Sequence, residues 1–252
     1  MLVTPIKTSI VHVHDNLWKI LKENIKFIPE KSVVVVTSKI VSLCEGSVAK
    51  IITGEKAEKQ QLVKENAEFY LDAEVSRYNI MITIKDQIVA VNAGIDESNS
   101  DSTYVLLPKD AYQTAQEIWQ FLKKEYRVQE VGVVITDSKT FPLKWGTIGT
   151  CLAHCGFNAL NDRIGEQDLF GHTMQMTKVN VAEALAVTAV LEMGEVAESQ
   201  PLCLIESINM VQFNQQPPTA QEIAELSISL EDDAYAPLLT TAAWQKGGAK
   251  KN

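Results

Sequence analysis

Two stretches of this chain gather residue types able to do chemistry. Asn92-Ala93-Gly94-Ile95-Asp96-Glu97-Ser98-Asn99 follows an apolar run, turns on a glycine, and then presents carboxylates and amides together. A second apolar run, Val131 to Thr136, ends in Asp137-Ser138. Loops held at the ends of strands are where an α/β scaffold positions hard cations and phosphates. Asp96 and Asp137 are therefore candidate ligands of a shared divalent ion, since such ions take carboxylates, phosphate oxygens and water. Taken separately, each would serve equally well as a turn or helix cap. Ser38-Lys39, where the apolar stretch Val33 to Thr37 stops, could set an ammonium against a nucleotide phosphate; a surface lysine at a strand end is the plain alternative. Glu195 reads equally as a solvated residue after a helix. The chain holds no G-x-x-x-x-G-K-[ST], no G-x-S-x-G and no dinucleotide fingerprint, so any nucleotide site has to be built from separate loops.

Several elements must position these residues. Leu2 to Lys7 reads as a strand, and Asp15-Asn16 can cap a helix whose Leu17, Ile20, Leu21 and Ile25 recur at helical spacing. Ser32 to Thr37, with valines at 33 to 36, is a buried strand running into Ser38-Lys39. Glu55 to Val75 is charged and helical in pattern. Tyr78 to Lys85 and Gln87 to Asn92 read as strands joined tightly at Lys85-Asp86, and Ser102 to Leu107 as a further strand. Asp110 to Tyr126 carries a helical stripe of Ala111, Ala115, Ile118, Phe121 and Leu122, leading to the strand Glu130 to Thr136. Phe141 to His172 is glycine-rich and reads as a small subdomain or substrate-facing excursion containing a helix at Cys151. Lys178 to Met193 is a broadly apolar, buried helix closed by Gly194-Glu195, and Pro201 to Glu206 is a strand. Beyond Gln212 the sequence is polar, with an acidic patch at Glu231-Asp232-Asp233 and an end expected to fray from Gln245 to Asn252. Helices and strands alternate with hairpins mixed in. That pattern predicts an α+β (mixed α/β) fold over residues 1–212 followed by a tail over 213–252, and argues against a purely parallel sheet.

Composition narrows the function. The chain has 252 residues, 46% hydrophobic and 22% charged, as expected of a globular protein. Lys+Arg 23 against Asp+Glu 32 gives a formal charge of -9, which lacks the basic footprint of a nucleic-acid binder. An acidic protein handling anionic substrates must neutralise them locally, and a bound divalent metal does so. No apolar run approaches the roughly 18 residues of a membrane helix, and Met1 to Lys19 offers no signal-peptide pattern, so a cytoplasmic location is the default expectation. Cys44, Cys151, Cys155 and Cys203 are too sparse for a disulfide framework. Cys151 and Cys155 share a face of the expected helix beside His154, but no second ligand pair appears, so they read as small buried residues. His12 and His14 alternate like neighbours on a strand and read as ordinary polar positions.

The ordered motifs VVVVTSKIVSLCEG, NAGIDESN, VVITDS and AVLEMGE resemble those of the coenzyme F-420 gamma-glutamyl ligases, over roughly Met1 to Glu206. The resemblance implies an enzyme that uses GTP (or ATP) with Mg or Mn to join L-glutamate to a carboxylate through an acyl phosphate. It also implies two interleaved subdomains and an intertwined homodimer. Position by position, Asp96, Asp137, Ser138 and Glu195 match the family's metal ligands. Thr8, Ser9, Ile10 and Val11, Ser38, Lys39, Asn99, and the turn Met193, Gly194, Glu195, Val196, Ala197, Glu198, Ser199 and Gln200 match its nucleotide contacts. No general base is assigned. The departures bear on the acceptor: where the family reads D-[ST]-x-G-R-P-x-R-x-G, this chain keeps Asp137, Ser138, Pro142 and Gly146 but has Thr140-Phe141 for Gly-Arg and Lys144 for the second arginine. Lysine lacks the bidentate fork by which arginine holds phosphate, and Leu43 stands where the family has lysine. On this basis a folate-type acceptor is expected ahead of the deazaflavin one. A metal-dependent nucleotide hydrolase and a non-catalytic nucleotide-binding module are the other classes compatible with the same residues.

Overall fold

Val33, Val34, Val35 and Val36 are all fully buried, which requires a strand covered on both of its faces. The computed structural model, which describes residues 1–249, puts that strand at the centre of a five-stranded sheet. Along the chain the elements are β1 (Leu2–Ile6), α1 (Leu17–Asn24), β2 (Ser32–Thr37), α2 (Ser38–Glu45), β3 (Val48–Lys50), α3 (Lys56–Asn66), β4 (Phe69–Leu71), β5 (Ile82–Lys85), β6 (Ile88–Val91), β7 (Thr103–Val105), α4 (Ala111–Tyr126), β8 (Val131–Thr140), β9 (Thr147–Cys155), β10 (Leu160–Asp162), β11 (Lys178–Asn180), α5 (Val181–Met193), β12 (Leu202–Glu206), α6 (Ala220–Glu225), α7 (Ala236–Leu239) and β13 (Gln245–Lys246).

The large sheet runs β1-β12-β2-β8-β9. Only β2 and β8 pair in parallel, from Ser32 opposite Val131 to Thr37 opposite Thr136; the other neighbours are antiparallel. Alternation along the strands separates two cores. Val34, Val36, Val133 and Ile135 pack with Leu21 of α1 and with Ile118 and Leu122 of α4. Val33, Val35 and Val134 face Leu185, Ala186 and Ala189 of α5. Full burial of each such side chain contributes about 1.5–3 kcal/mol, so the parallel pair that carries the candidate residues is the most firmly held part of the protein. A smaller four-stranded sheet, β13-β4-β5-β6, joins α3 around Val63, Ala67, Met81, Ile95 and Tyr104. The class is α+β with mixed sheets, as the alternation of elements requires.

The expected elements recur with informative differences. Asn16 caps α1 by accepting from the Lys19 amide, and Asp110 caps α4 by accepting from Gln113. The helix expected over Glu55 to Val75 stops at Asn66, because Phe69–Leu71 supplies a strand to the small sheet. The β5–β6 turn lies on Asp86 and Gln87, whose φ values of 48° and 62° are those of a tight hairpin whose two central residues are left-handed. Cys151 to Cys155 is not a helix but part of β9: Cys155 joins the α4-side core and Cys151 packs on the α5 side, so they share no ligand face. Because β9 occupies Thr147–Cys155, the glycine-rich stretch is no separate subdomain; what protrudes is the segment between β10 and β11. His12 and His14 lie in the turn before α1, not on a strand, with His14 at φ 66°. The tail does not fray from Gln245: β13 pairs with β4, and the Gly247 and Gly248 amides donate to Glu68 and Lys64. The remainder of the expected frayed end, 250–252, lies outside the described residues.

Candidate functional site

Asp96 follows the turn Asn92 to Gly94 that ends β6, and bridges back to Val105 of β7 through two backbone hydrogen bonds of 3.0 and 2.8 Å. Left-handed backbone at Asn92, Ala93 and Gly94 makes the chain reverse there, and a Cβ on Gly94 would strike the Leu107 side chain at 2.8 Å. The Asp96 carboxylate is densely partnered. Its Oδ1 accepts from the amides of Glu97 (2.7 Å) and Ser98 (2.9 Å), and its Oδ2 from Ser98 Oγ (2.7 Å) and Lys39 Nζ (2.6 Å). Burial pushes the carboxyl up, but Lys39 and the Ser98 donors outweigh it and hold the group below the ordinary aspartate value.

Asp137 has the opposite environment. It lies on β8 beyond the last buried residue, Thr136, because the strand continues to Thr140 rather than ending where the apolar run does. Burial raises its pKa to about 6; the Ser138 amide and Ser38 hydroxyl partly offset this, the charge of Asp96 adds to it, and Lys39 opposes it. The mutual repulsion of Asp96 and Asp137 places both carboxyls in one electrostatic neighbourhood with Lys39, although they are 41 residues apart in the chain (137 minus 96). Ser38 and Lys39 arrive there because the strand-to-helix junction of β2 and α2 follows Thr37 directly, which makes Ser38-Lys39 the first turn of a helix rather than a strand end.

Ser138 and Glu195 form a second group. Ser138 Oγ donates to both Glu195 carboxylate oxygens, at 2.8 and 2.9 Å. Neighbouring residues of a strand point to opposite faces, so this pair lies across β8 from the Asp137 side chain. Among the described residues no three His, Cys, Asp or Glu side chains converge closely enough to hold an ion by themselves. The four residues matched to metal ligands are thus brought close to one strand tip but as two sets. Both sets are all-oxygen, the donor type that suits Mg²⁺ or Mn²⁺, and such ions complete their shells with waters and phosphate oxygens. The donor set fits a hard cation that arrives with a polyphosphate.

The segments matched to nucleotide contacts also meet. The Thr8 amide donates to the Ser199 carbonyl (3.0 Å), joining the loop of Thr8, Ser9, Ile10 and Val11 to the turn from Met193 to Gln200. Asn99 Nδ2 donates to the Val196 carbonyl (2.8 Å), tying that turn to the Asp96 loop, and the Thr37 amide donates to Pro201 (3.0 Å), tying it to the start of α2. Glu198 Oε2 accepts from the Val196 amide (2.8 Å), and this amide together with those of Glu198 and Ala197 holds the Glu198 carboxyl below its ordinary value. Leu43 is buried in α2 and brings no cation to the site. Phe141 and Lys144 lie exposed at the β8–β9 tip. Two partners escaped the sequence reading: Ser98, which sits in the same Asp-Glu-Ser-Asn string and could have been found as an aspartate-turn residue, and the role of Lys39 as the counter-ion of Asp96, which no local signal reveals.

A mixed sheet bearing two strand-tip aspartates, a helix-start lysine and converging loops defines an α+β enzyme with an oxygen-donor, phosphate-handling type of centre. The chain belongs to the F420-0:gamma-glutamyl ligase family, whose model matches residues 5–207, and is accordingly a ligase. It is similar to the coenzyme F420:L-glutamate ligase of Methanocaldococcus jannaschii, with 32% identity over 197 residues covering 73% of this chain and 78% of that one. The ligase of the same name from Archaeoglobus fulgidus is 28% identical over 78% of this chain and 83% of its own. That of Methanococcus maripaludis is 38% identical over 130 residues, about half of each chain (51% and 52%). Among the described residues no helix is long and apolar enough to cross a membrane.

Proposed function

We propose that the protein joins L-glutamate to the carboxylate of the deazaflavin precursor F420-0, using GTP (or ATP) with Mg²⁺ or Mn²⁺. The observation that carries this reading is the largely enclosed Asp137 carboxyl set beside Asp96 where four separate chain segments meet. A carboxyl pushed up to about 6 next to a second carboxylate creates a demand for positive charge that one lysine does not meet. The names of the similar archaeal ligases favour the deazaflavin acceptor over the folate-type one expected from sequence.

In this reading Asp96 and Asp137 hold the cation, with Ser138 and Glu195 available to a second one. A bound cation spreads the polyphosphate charge and aligns the terminal phosphoryl group for in-line attack. Lys39 trades Asp96 for a phosphate oxygen when the nucleotide enters, while the loop from Thr8 to Val11, Asn99 and the turn Met193 to Gln200 enclose the nucleotide. The acceptor carboxylate then takes the phosphoryl group, and the glutamate amine displaces phosphate from the acyl phosphate. Positioning and charge neutralisation suffice for such a transfer, so no general base is assigned.

A folate-type acceptor is the second reading, supported by Phe141 and Lys144 where the family carries arginines. Incubation with GTP or ATP, Mg²⁺ or Mn²⁺, L-glutamate and either F420-0 or tetrahydrofolate, followed by mass spectrometry, separates the two by which acceptor gains a glutamyl residue. Phosphate release with no adduct on either acceptor would overturn the ligase mechanism in favour of nucleotide hydrolysis. We also propose a homodimer in which residues 1–212 form the working unit: Leu143 and Trp145 at the β8–β9 tip and Leu169, Phe170 and Met176 on the protruding segment are almost fully exposed, a larger apolar display than a monomer ordinarily leaves to water. Sedimentation equilibrium reads the stoichiometry directly.

A further inference from the structure

Beyond Asp137 the two sheets do not close on one another. The β5–β6 hairpin and the β8–β9 ladder enclose a narrow cleft, with Asp137 and Ser138 at one end. Ile88, Val91, Leu107 and Leu152 give it apolar walls, and Lys85 and Lys139 stand on opposite sides of it. Lys139 follows Asp137 by two residues on β8 and so shares its face.

The state of the two lysines is unusual for this protein. Their side chains are only 20% and 24% exposed, yet neither ammonium donates a short hydrogen bond to any protein acceptor among the described residues. Lys85 Nζ is 3.6 Å from Asp86 Oδ2, and Lys139 Nζ is 3.7 Å from Glu183 Oε2, separations too long for a hydrogen bond. By contrast, Lys39 and Lys64, comparably covered, sit 2.6 and 2.8 Å from their carboxylates. Glu183 is further engaged by Thr150, whose hydroxyl donates to Oε1 at 2.9 Å, so it is fixed in place rather than free to close on Lys139. A covered ammonium with unmet donors costs free energy unless an anion supplies the acceptors.

We propose that this cleft is the acceptor subsite: the carboxylate to be activated lies between Lys139 and Lys85 beside Asp137, and the less polar body of the acceptor lies along Ile88, Val91, Leu107 and Leu152. The proposal rests on the ligase reading and adds residues that neither the metal set nor the nucleotide segments contain. L-Glutamate suits the cleft poorly, because its two carboxylates and ammonium leave only a pair of methylenes for four apolar walls. The acceptor carboxylate must also approach the transferring phosphoryl group, which the cation at Asp137 would hold at that end.

The test is equilibrium binding to the whole protein and to Lys139→Met and Lys85→Met, which keep most of the aliphatic stem. F420-0 is titrated by its own fluorescence, and GTP with Mn²⁺ by calorimetry. Loss of one charge-assisted contact is expected to weaken F420-0 binding roughly tenfold, with GTP affinity changed less than about twofold and, in turnover, KM for the acceptor rising more than kcat falls. If the wild-type protein binds and glutamylates F420-0 and both variants match it, the subsite assignment is wrong while the ligase reading stands. If the variants lose GTP affinity instead, the lysines serve the nucleotide and the assignment is again overturned. If the wild-type protein neither binds nor glutamylates F420-0, the deazaflavin reading fails and takes the subsite with it. Circular dichroism and urea midpoints for each variant establish that a loss of binding is not a loss of fold.

Discussion

Asp96 and Asp137 come from halves of the molecule built differently. Asp137 extends from a strand sealed on both faces by two apolar cores, whereas Asp96 sits on a turn beside a smaller sheet with a single, thinner core. The turn half supplies its carboxylate with four donors and lowers its pKa; the sheet half leaves its carboxylate largely enclosed and raised to about 6. A rigid strand can impose an unfavourable position on a charge because the surrounding packing compensates, while a turn must stabilise its own. One ligand is thereby satisfied before any cation arrives and the other is not.

Replacing the strained member breaks the comparison most. Asp137→Asn is expected to weaken nucleotide binding in Mg²⁺ or Mn²⁺ by at least about 100-fold, as loss of a metal-supporting group does, measured by calorimetry. The same change should stabilise the metal-free protein, and the sign follows from the raised pKa. The carboxyl of the folded state resists ionisation, so its contribution is favourable below the ordinary value of 3.8 and is lost as pH rises through about 6. The gain for Asp137→Asn should therefore reach roughly 1–3 kcal/mol at pH 8 and vanish near pH 3, read from urea midpoints across pH. Equal destabilisation at every pH would sink the contrast between the halves.

Asp96→Asn sharpens it. Its nucleotide affinity should fall about tenfold, less than for Asp137, because Lys39 is freed to meet phosphate as a ligand oxygen is lost; unlike Asp137→Asn, it should give no stability gain at pH 8.

Removing Gln245 to Asn252 tests the smaller half alone. Loss of the β13–β4 pairing and of the Gly247 and Gly248 hydrogen bonds should speed hydrogen exchange of β4 and β5 amides and lower Tm by about 2–4 °C, leaving exchange in β2 and β8 unchanged.

The smallest effect is expected at Glu58, whose carboxylate accepts from the amides of Ile52, Thr53 and Gly54 and from the Thr53 hydroxyl. The Thr53 hydroxyl and then these amides depress its pKa to about 2, so its contribution is present above the ordinary value of 4.5 and is lost as pH falls towards 2. Glu58→Gln should leave β3 and the start of α3 exchanging faster at pH 7 and no differently from wild type near pH 2.

The pattern of the chain already contained the parallel strand pair, since four consecutive valines and the run from Val131 admit no half-exposed strand, and it contained the caps Asn16 and Asp110. It misjudged Cys151 to Cys155, where a short apolar run with small residues fits a helix or a buried strand equally and only pairing with β8 decides. It also ended β8 at Thr136: polar residues from Asp137 onward looked like a loop, although they continue a ladder at the rim of the sheet.

From sequence alone come the family, the α+β class and the residues Asp96, Asp137, Ser138, Glu195 and Lys39, because residue types and local spacing are one-dimensional properties. Tertiary structure alone decides that Lys39 sits on Asp96, that Ser138 and Glu195 form a separate pair across the strand, and that Lys85 and Lys139 face each other over an apolar cleft. Those contacts join segments about 50 residues apart in the chain. Their energies depend on burial and on distances of a few ångströms, quantities that exist only once the two sheets have packed.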